Sequence, residues 1–334
     1  MSIPPSPADG PKASARSRAA RVRSRLRWWW HAPIGLLVIG IVIILITTIA
    51  FGATRPDTGN PPAPTSQSPR AEVPTLHSPL ASPPALSAAP ALPELDEEIA
   101  RIEEKYDVLL GITLNQATNP YTRQQETWYG GTLRGGEAFE TIDVPIALAV
   151  LNEPNQPQQL DYMFTRALAD NSQAGDEALW AYLGTADEAA SKTTQALRAY
   201  GDFHTTVDAS SEQEQTPPYD TTWSLEDQSL LMGVLTCKYA DTYKALSKLN
   251  DQSDDPWGLQ TLPLTYSRGA WGQTANGDLL VRQFGLIRLS DGTQVGIAMA
   301  ASSTSDDSSA GQAAITELAN SVRRLATGFD SPQC

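Results

Sequence analysis

A chain of 334 residues is long enough for two domains, but its formal net charge of −14 is unevenly spread. Lys12, Arg16, Arg18, Arg21, Arg23, Arg25 and Arg27 stand against Asp9 alone in the first thirty residues, a net +6 that leaves −20 for the rest. So acidic a remainder excludes nucleic acid as a partner and disfavours docking on anionic lipid.

The basic tail, residues 1–31, leads into an uncharged run rich in Ile, Leu and Val that fills residues 34–53. About 20 such residues cross a bilayer core, and Trp28, Trp29 and Trp30 sit where aromatic rings favour the interface. The sequence therefore predicts a single transmembrane helix over 32–53, with a cytoplasmic N-terminus and everything after it outside the cell membrane. Thr48-Ile49-Ala50 offers a cleavage site and so the competing reading of a signal peptide, although the run is long for one. Residues 54–93 are Pro, Ala, Ser and Thr with few large apolar side chains, the composition of a disordered, semi-extended spacer.

A folded domain is expected over 94–334. Leu95, Ile99, Ile102 and Tyr106 recur at helical spacing, and 107–115 reads as a buried strand. Gly130-Gly131 and Gly135-Gly136 read as turns. Next comes G-E-A-F-E-T-I-D-V-P-I-A-L-A-V-L over 136–151, a helix apolar on nearly every face, with Pro145 in its first turn. Helices are expected over 160–168, 175–183, 187–200 and 225–249. Strand-like runs at 279–289 and 293–301 are joined by Ser290-Asp291-Gly292, a hairpin signal, and a helix over 310–327 closes the chain. The order is α+β.

The 136–151 helix opens with Glu140 and Asp143, three apart and on one face. The stretch resembles the nucleophile helix of class A β-lactamases and penicillin-binding proteins, where Ser-x-x-Lys precedes such an apolar run. Glu140 takes the serine position and Asp143 the lysine position. Ala169-Asp170-Asn171 resembles the family's Ser-Asp-Asn loop, with alanine for serine. Trp257-Gly258-Leu259 is similar to a segment common in actinobacterial members. Ser267-Arg268-Gly269-Ala270-Trp271-Gly272 resembles the edge strand that carries Lys-Thr-Gly, with Arg268 for lysine. The resemblance covers most of 93–330. It implies the serine β-lactamase fold: an antiparallel sheet with terminal helices and a helical lobe beside it.

The same residues imply that the catalytic machinery is missing. Acylation needs a hydroxyl with a neighbouring base, and no Ser-x-x-Lys or Thr-x-x-Lys occurs anywhere in the chain. Thr141 lies one residue along, about 100° round the helix. The expected function is that of a membrane-anchored pseudoenzyme. Its partner would be a wall-precursor ligand held near Glu140, Asp143, Asn171 and Arg268, or an envelope-biogenesis protein on its surface. The alternative is a hydrolase that uses Glu140 and Asp143 as an acid–base pair on a wall glycan. A plainer reading has Arg268 neutralising the two acids.

No cofactor is implied. His31, His77 and His204 are scattered, so no metal site is visible, and Asp254-Asp255 and Asp306-Asp307 lack calcium-loop spacing. Trp223 and Trp257 read as packing residues. Export makes a Cys237–Cys334 disulfide the natural pairing of the two cysteines.

Overall fold

The computed structural model describes residues 89–116, 127–209, 216–250, 255–263 and 265–330. The basic tail, the expected membrane span, nearly all of the spacer and Cys334 lie outside them. Among the described residues no helix is long and apolar enough to cross a membrane. Cys237 is not a free thiol.

The centre is a five-stranded antiparallel sheet. Its strands are β1 (Leu109–Gln116), β2 (Thr127–Gly131), β5 (Tyr266–Gln273), β6 (Leu279–Arg288) and β7 (Gln294–Ser303), in the order β2-β1-β7-β6-β5. A two-stranded ribbon pairs β3 (Gly135–Glu137) with β4 (Thr222–Ser224). Gly130, Gly131, Gly135 and Gly136, read as turns from sequence, thus sit in strands. Close packing explains them: a Cβ on Gly135 would stand 2.8 Å from the carbonyl of Trp223, and one on Gly130 would strike the Trp128 ring.

Both faces of the sheet are covered, which is why β6 and β7 read as continuous apolar runs rather than alternating ones. Toward the chain termini, Val281, Ile287, Val295, Ile297 and Met299 meet α1 (Pro93–Tyr106) and α8 (Ser309–Leu325). Glu317 of α8 receives Lys105 and Tyr106 of α1 at 2.6 and 2.8 Å, and also Arg101. These donors hold its carboxyl near pKa 2. Toward the other face, Leu280, Phe284, Leu286, Ala298 and Ala300 meet the helical lobe.

Two helices dominate that lobe. In α2 (Asp143–Asn152), buried residues run without interruption from Asp143 to Val150, as the apolar run predicts. In α6 (Leu225–Cys237), only Glu226 is exposed before Thr236. The expected 225–249 helix is broken at Lys238, whose backbone leaves the helical region (φ −108°, ψ 18°), and α7 (Tyr239–Leu246) follows without any Gly or Pro to mark the break. The remaining helices are α3 (Leu160–Phe164), α4 (Gln173–Tyr182) and α5 (Ala186–Ala199), with a π-helical turn at Thr165–Ala169 after α3.

Small residues on β7 let α6 lie almost against the strand. A Cβ on Gly296 would come within 2.0 Å of the Ser229 carbonyl and 2.7 Å of the Gly233 amide nitrogen. No side-chain rotation relieves a collision between two backbones. Gly296→Ala should therefore lower stability by about 3 kcal/mol, which corresponds to a thermal midpoint lower by roughly 6–12 °C. Calorimetry checks it, and an unchanged midpoint would show that α6 is not seated this closely.

Candidate functional site

The segment before α2 is set by two backbone bonds from the loop ahead of β4: Ala138 donates to Thr221 O and Phe139 to Tyr219 O, both at 2.8 Å. Phe139 takes left-handed backbone, φ 48°, and lays its ring over Gly272 of β5, where any Cβ would collide with it. A 3-10 turn then runs Phe139–Ile142, carrying Glu140, and α2 opens at Asp143. The family-like positions therefore straddle a 3-10/α junction rather than one continuous helix.

Asp143 is fully buried, and Arg268 from edge strand β5 comes to it. Nη2 of Arg268 stands 2.5 Å from Oδ2 of Asp143, Nε donates to the Glu140 carbonyl at 3.1 Å, and Nη1 donates to the Leu168 carbonyl at 3.4 Å. One guanidinium thus ties together β5, the start of α2 and the π-helical turn. Arg268 itself is 4% exposed. Of the two acids, it pairs with Asp143 through its side chain and with Glu140 only through its backbone.

A further acid, Asp176 of α4, joins from behind. Its charge acts on Asp143, and Tyr219 donates to its Oδ2 at 3.1 Å. Asp143 Oδ1 and Asp176 Oδ1 are both buried, and neither has a hydrogen-bond partner. Burial and like charge both favour the protonated form of such acids. Burial raises Asp143 well above the ordinary carboxylate range despite Arg268, and burial likewise raises Asp176, to about 6. Tyr219 is pushed far up by the same burial and by both acids.

Glu140 is half-buried at the front of this arrangement. Ala169 ends the π-helical turn, half-buried, and contributes no polar group. Asn171 is exposed in left-handed backbone, φ 50°, and takes no part in the Arg268 contacts. The structure thus gathers Glu140, Asp143 and Arg268 but leaves Asn171 at the rim. Thr141 is buried and occupied: its hydroxyl donates to Ala138 O at 2.5 Å and accepts from Gln228 Nε2 at 3.1 Å.

Gln228 leads to a second buried arginine. Arg282 of β6 donates to the carbonyls of Gly136 and Glu137 at 2.8 and 2.6 Å, and to Trp223 O and Gln228 Oε1 at 3.0 and 2.6 Å. It makes no carboxylate contact. Burial lowers its pKa to about 9, which still leaves it protonated at neutral pH. Trp223 packs edge-on against Phe284, and Trp257 against Trp271, so both are packing residues. Asp176, Tyr219, Gln228 and Arg282 were not singled out from sequence. The one signal was Arg282, a charge inside an otherwise apolar strand.

No family model matches the chain, and no curated protein matches it in sequence. Solved structures do match. TLA-3 extended-spectrum β-lactamase is 14% identical over 70% of this chain and 98% of its own, with a TM-score of 0.55. TLA-1 extended-spectrum β-lactamase is also 14% identical over the same shares, with a TM-score of 0.55. A β-lactamase from Chitinophaga pinensis is 15% identical over 69% of this chain and 98% of its own, with a TM-score of 0.54. The chain has the serine β-lactamase fold that the altered motifs implied.

The raised Asp176 carboxyl sets a pH dependence. An unfolded aspartic acid releases its proton near 3.9, whereas folded Asp176 holds it to about 6. Between these values the folded state binds more protons, so stability falls as pH rises from about 4 to 6. Asp176→Asn should flatten this segment of the stability profile. Urea unfolding at successive pH values checks it, and an unchanged slope in the variant would place the proton elsewhere.

Proposed function

We propose that this protein is a membrane-anchored, extracytoplasmic pseudoenzyme that acts by binding an envelope or cell-wall-biogenesis protein. The observation that carries the reading is the Asp143–Arg268 ion pair. In the related Ser-x-x-Lys arrangement a cationic base stands beside a hydroxyl nucleophile. Here the base position is an acid, and its charge is already spent on an arginine that is 4% exposed. Glu140 offers no hydroxyl, Ala169 offers none, and Thr141 is engaged on both sides of its oxygen. The membrane anchor and outward orientation rest on the basic tail and the apolar run of 34–53.

The same pair favours one of the two binding readings. An anionic wall precursor would need a free cation in the cleft, and all three nitrogens of Arg268 face protein acceptors. A surface partner fits better. The hydrolase alternative needs two carboxylates that both reach substrate. Asp143 is enclosed, so Glu140 would act alone.

Incubation of the full-length protein with a fluorescent penicillin, followed by denaturing electrophoresis and intact mass, should give no covalent adduct. Glu140→Ser should not restore one, because nucleophile and base act as a unit. Adding Asp143→Lys would set a second cation against buried Arg268 and should destabilise the domain instead. A stoichiometric adduct on the wild-type chain would overturn the pseudoenzyme reading.

A further inference from the structure

The chain's third histidine belongs to a cluster that sequence spacing does not reveal. After α5, Gly201 turns the backbone at φ 96°, and Asp202 and His204 follow; Asp227 stands in the first turn of α6. One ligand atom from each of these three residues lies within 4.8 Å of the others. We propose that Asp202, His204 and Asp227 form a zinc site, remote from the Arg268 cluster in its contacts and independent of the pseudoenzyme reading.

The donor set and its support both point there. The side chains of Asp202 and Asp227 are 0% and 5% exposed, whereas His204 is 79% exposed. A buried carboxylate pair normally has a cation between or beside it. The cation at hand is Arg198, 3.6 Å from Asp202 Oδ1 and 31% exposed. Asp227 has no cation but His204: Nδ1 stands 2.9 Å from its Oδ1, with the rest of the ring in water. An exposed ring held this way carries its donor nitrogen on the inward side, where a metal replaces the proton between nitrogen and oxygen.

The surrounding bonds fix the ligands in place as metal sites require. Asp202 Oδ1 accepts the backbone N–H of His204 and of Thr205 at 3.0 and 2.9 Å, and its Oδ2 accepts the indole N–H of Trp223 at 3.0 Å. Ser224 donates to Asp227 Oδ2 at 2.6 Å, and the same hydroxyl accepts from the Asp227 amide at 2.9 Å. Asp202 Oδ2 and the oxygens of Asp227 keep a lone pair beyond these bonds, whereas Asp202 Oδ1, with two backbone donors, does not. One nitrogen and two oxygens suit Zn²⁺, which needs three protein ligands at about 2.0–2.2 Å and takes water in a fourth position. Ca²⁺ needs six or more oxygens, which this cluster does not supply. The exposed side of His204 leaves room for that water.

Full-length protein, purified in detergent and stripped with a chelator, is titrated with ZnCl₂ and passed through a desalting column before metal analysis. One zinc per chain should be retained, with an upward shift in the thermal midpoint. His204→Ala should bind zinc at least about tenfold more weakly and lose the shift. Losing His204 leaves Asp227 without its partner and lowers the metal-free midpoint, so circular dichroism of the metal-free variant at low temperature, expected to match the wild type, separates ligand loss from misfolding. Asp227→Asn should act in the same direction, and a His31→Ala/His77→Ala double variant should bind as the wild type does. Equal zinc retention by wild type and His204→Ala, or no retention by wild type, would overturn the proposal.

Discussion

The lobe is organised by the contact between Arg268 and Asp143, 2.5 Å apart with both side chains at 5% exposure or less. Removing two charges from water costs several kcal/mol for each ion, and attraction offsets this only when the remaining donors and acceptors are also matched. Here they nearly are. The guanidinium also reaches the carbonyls of Glu140 and Leu168, while the second oxygen of Asp143 has no donor. The geometry is overdetermined: edge strand, α2, α4 and the π-helical turn must all be in register for one cation to be satisfied. Such a contact contributes modestly to net stability, yet every one of its parts is needed.

The second arginine extends the same logic without a countercharge. Arg282 spends four hydrogen bonds on three backbone carbonyls and one amide, and so fastens the β3–β4 ribbon to β6 and α6. Gln228 then passes the connection to Thr141 at the turn before α2. Most donors and acceptors around the two arginines meet protein partners, while Asp143 Oδ1, Asp176 Oδ1 and Arg282 Nε do not. The present arrangement leaves Glu140 as the one half-exposed acid at its front.

The elements with strong periodicity were legible from sequence: α1, β1, the β6–β7 hairpin and α8 lie within a few residues of where spacing puts them, whereas of the 136–151 stretch only the apolar part from Asp143 is α-helix, its start being strand β3 and a 3-10 turn. The glycine-bearing strands β2 and β3 were not. Their glycines answer to close approach by Trp128 and by the Trp223 carbonyl, which are tertiary facts. The break at Lys238 was equally hidden, since nothing in its local chemistry stops a helix. In the site, Glu140, Asp143 and Arg268 were legible because altered motifs keep their order along the chain. Asp176 and Tyr219 lie outside those motifs, and an acid on the amphipathic α4 reads as solvent-facing until the fold buries it. Asp202, His204 and Asp227 illustrate the same limit: 25 residues separate the first from the last, and only the return of α6 beside the loop after α5 makes them neighbours.

The central claim is that Arg268 and Asp143 close the cleft as a pair, and a double-mutant cycle measures it directly. Chemical unfolding would be recorded for wild type, Arg268→Met, Asp143→Leu and the double variant. Below about pH 6, where Asp176 keeps its proton, each single change strands one buried charge and should cost about 3–5 kcal/mol, while the double variant leaves none and should recover most of that loss. Single variants that each lose less than about 0.5 kcal/mol, with effects that simply add, would mean that the two groups are solvated and the cleft is open.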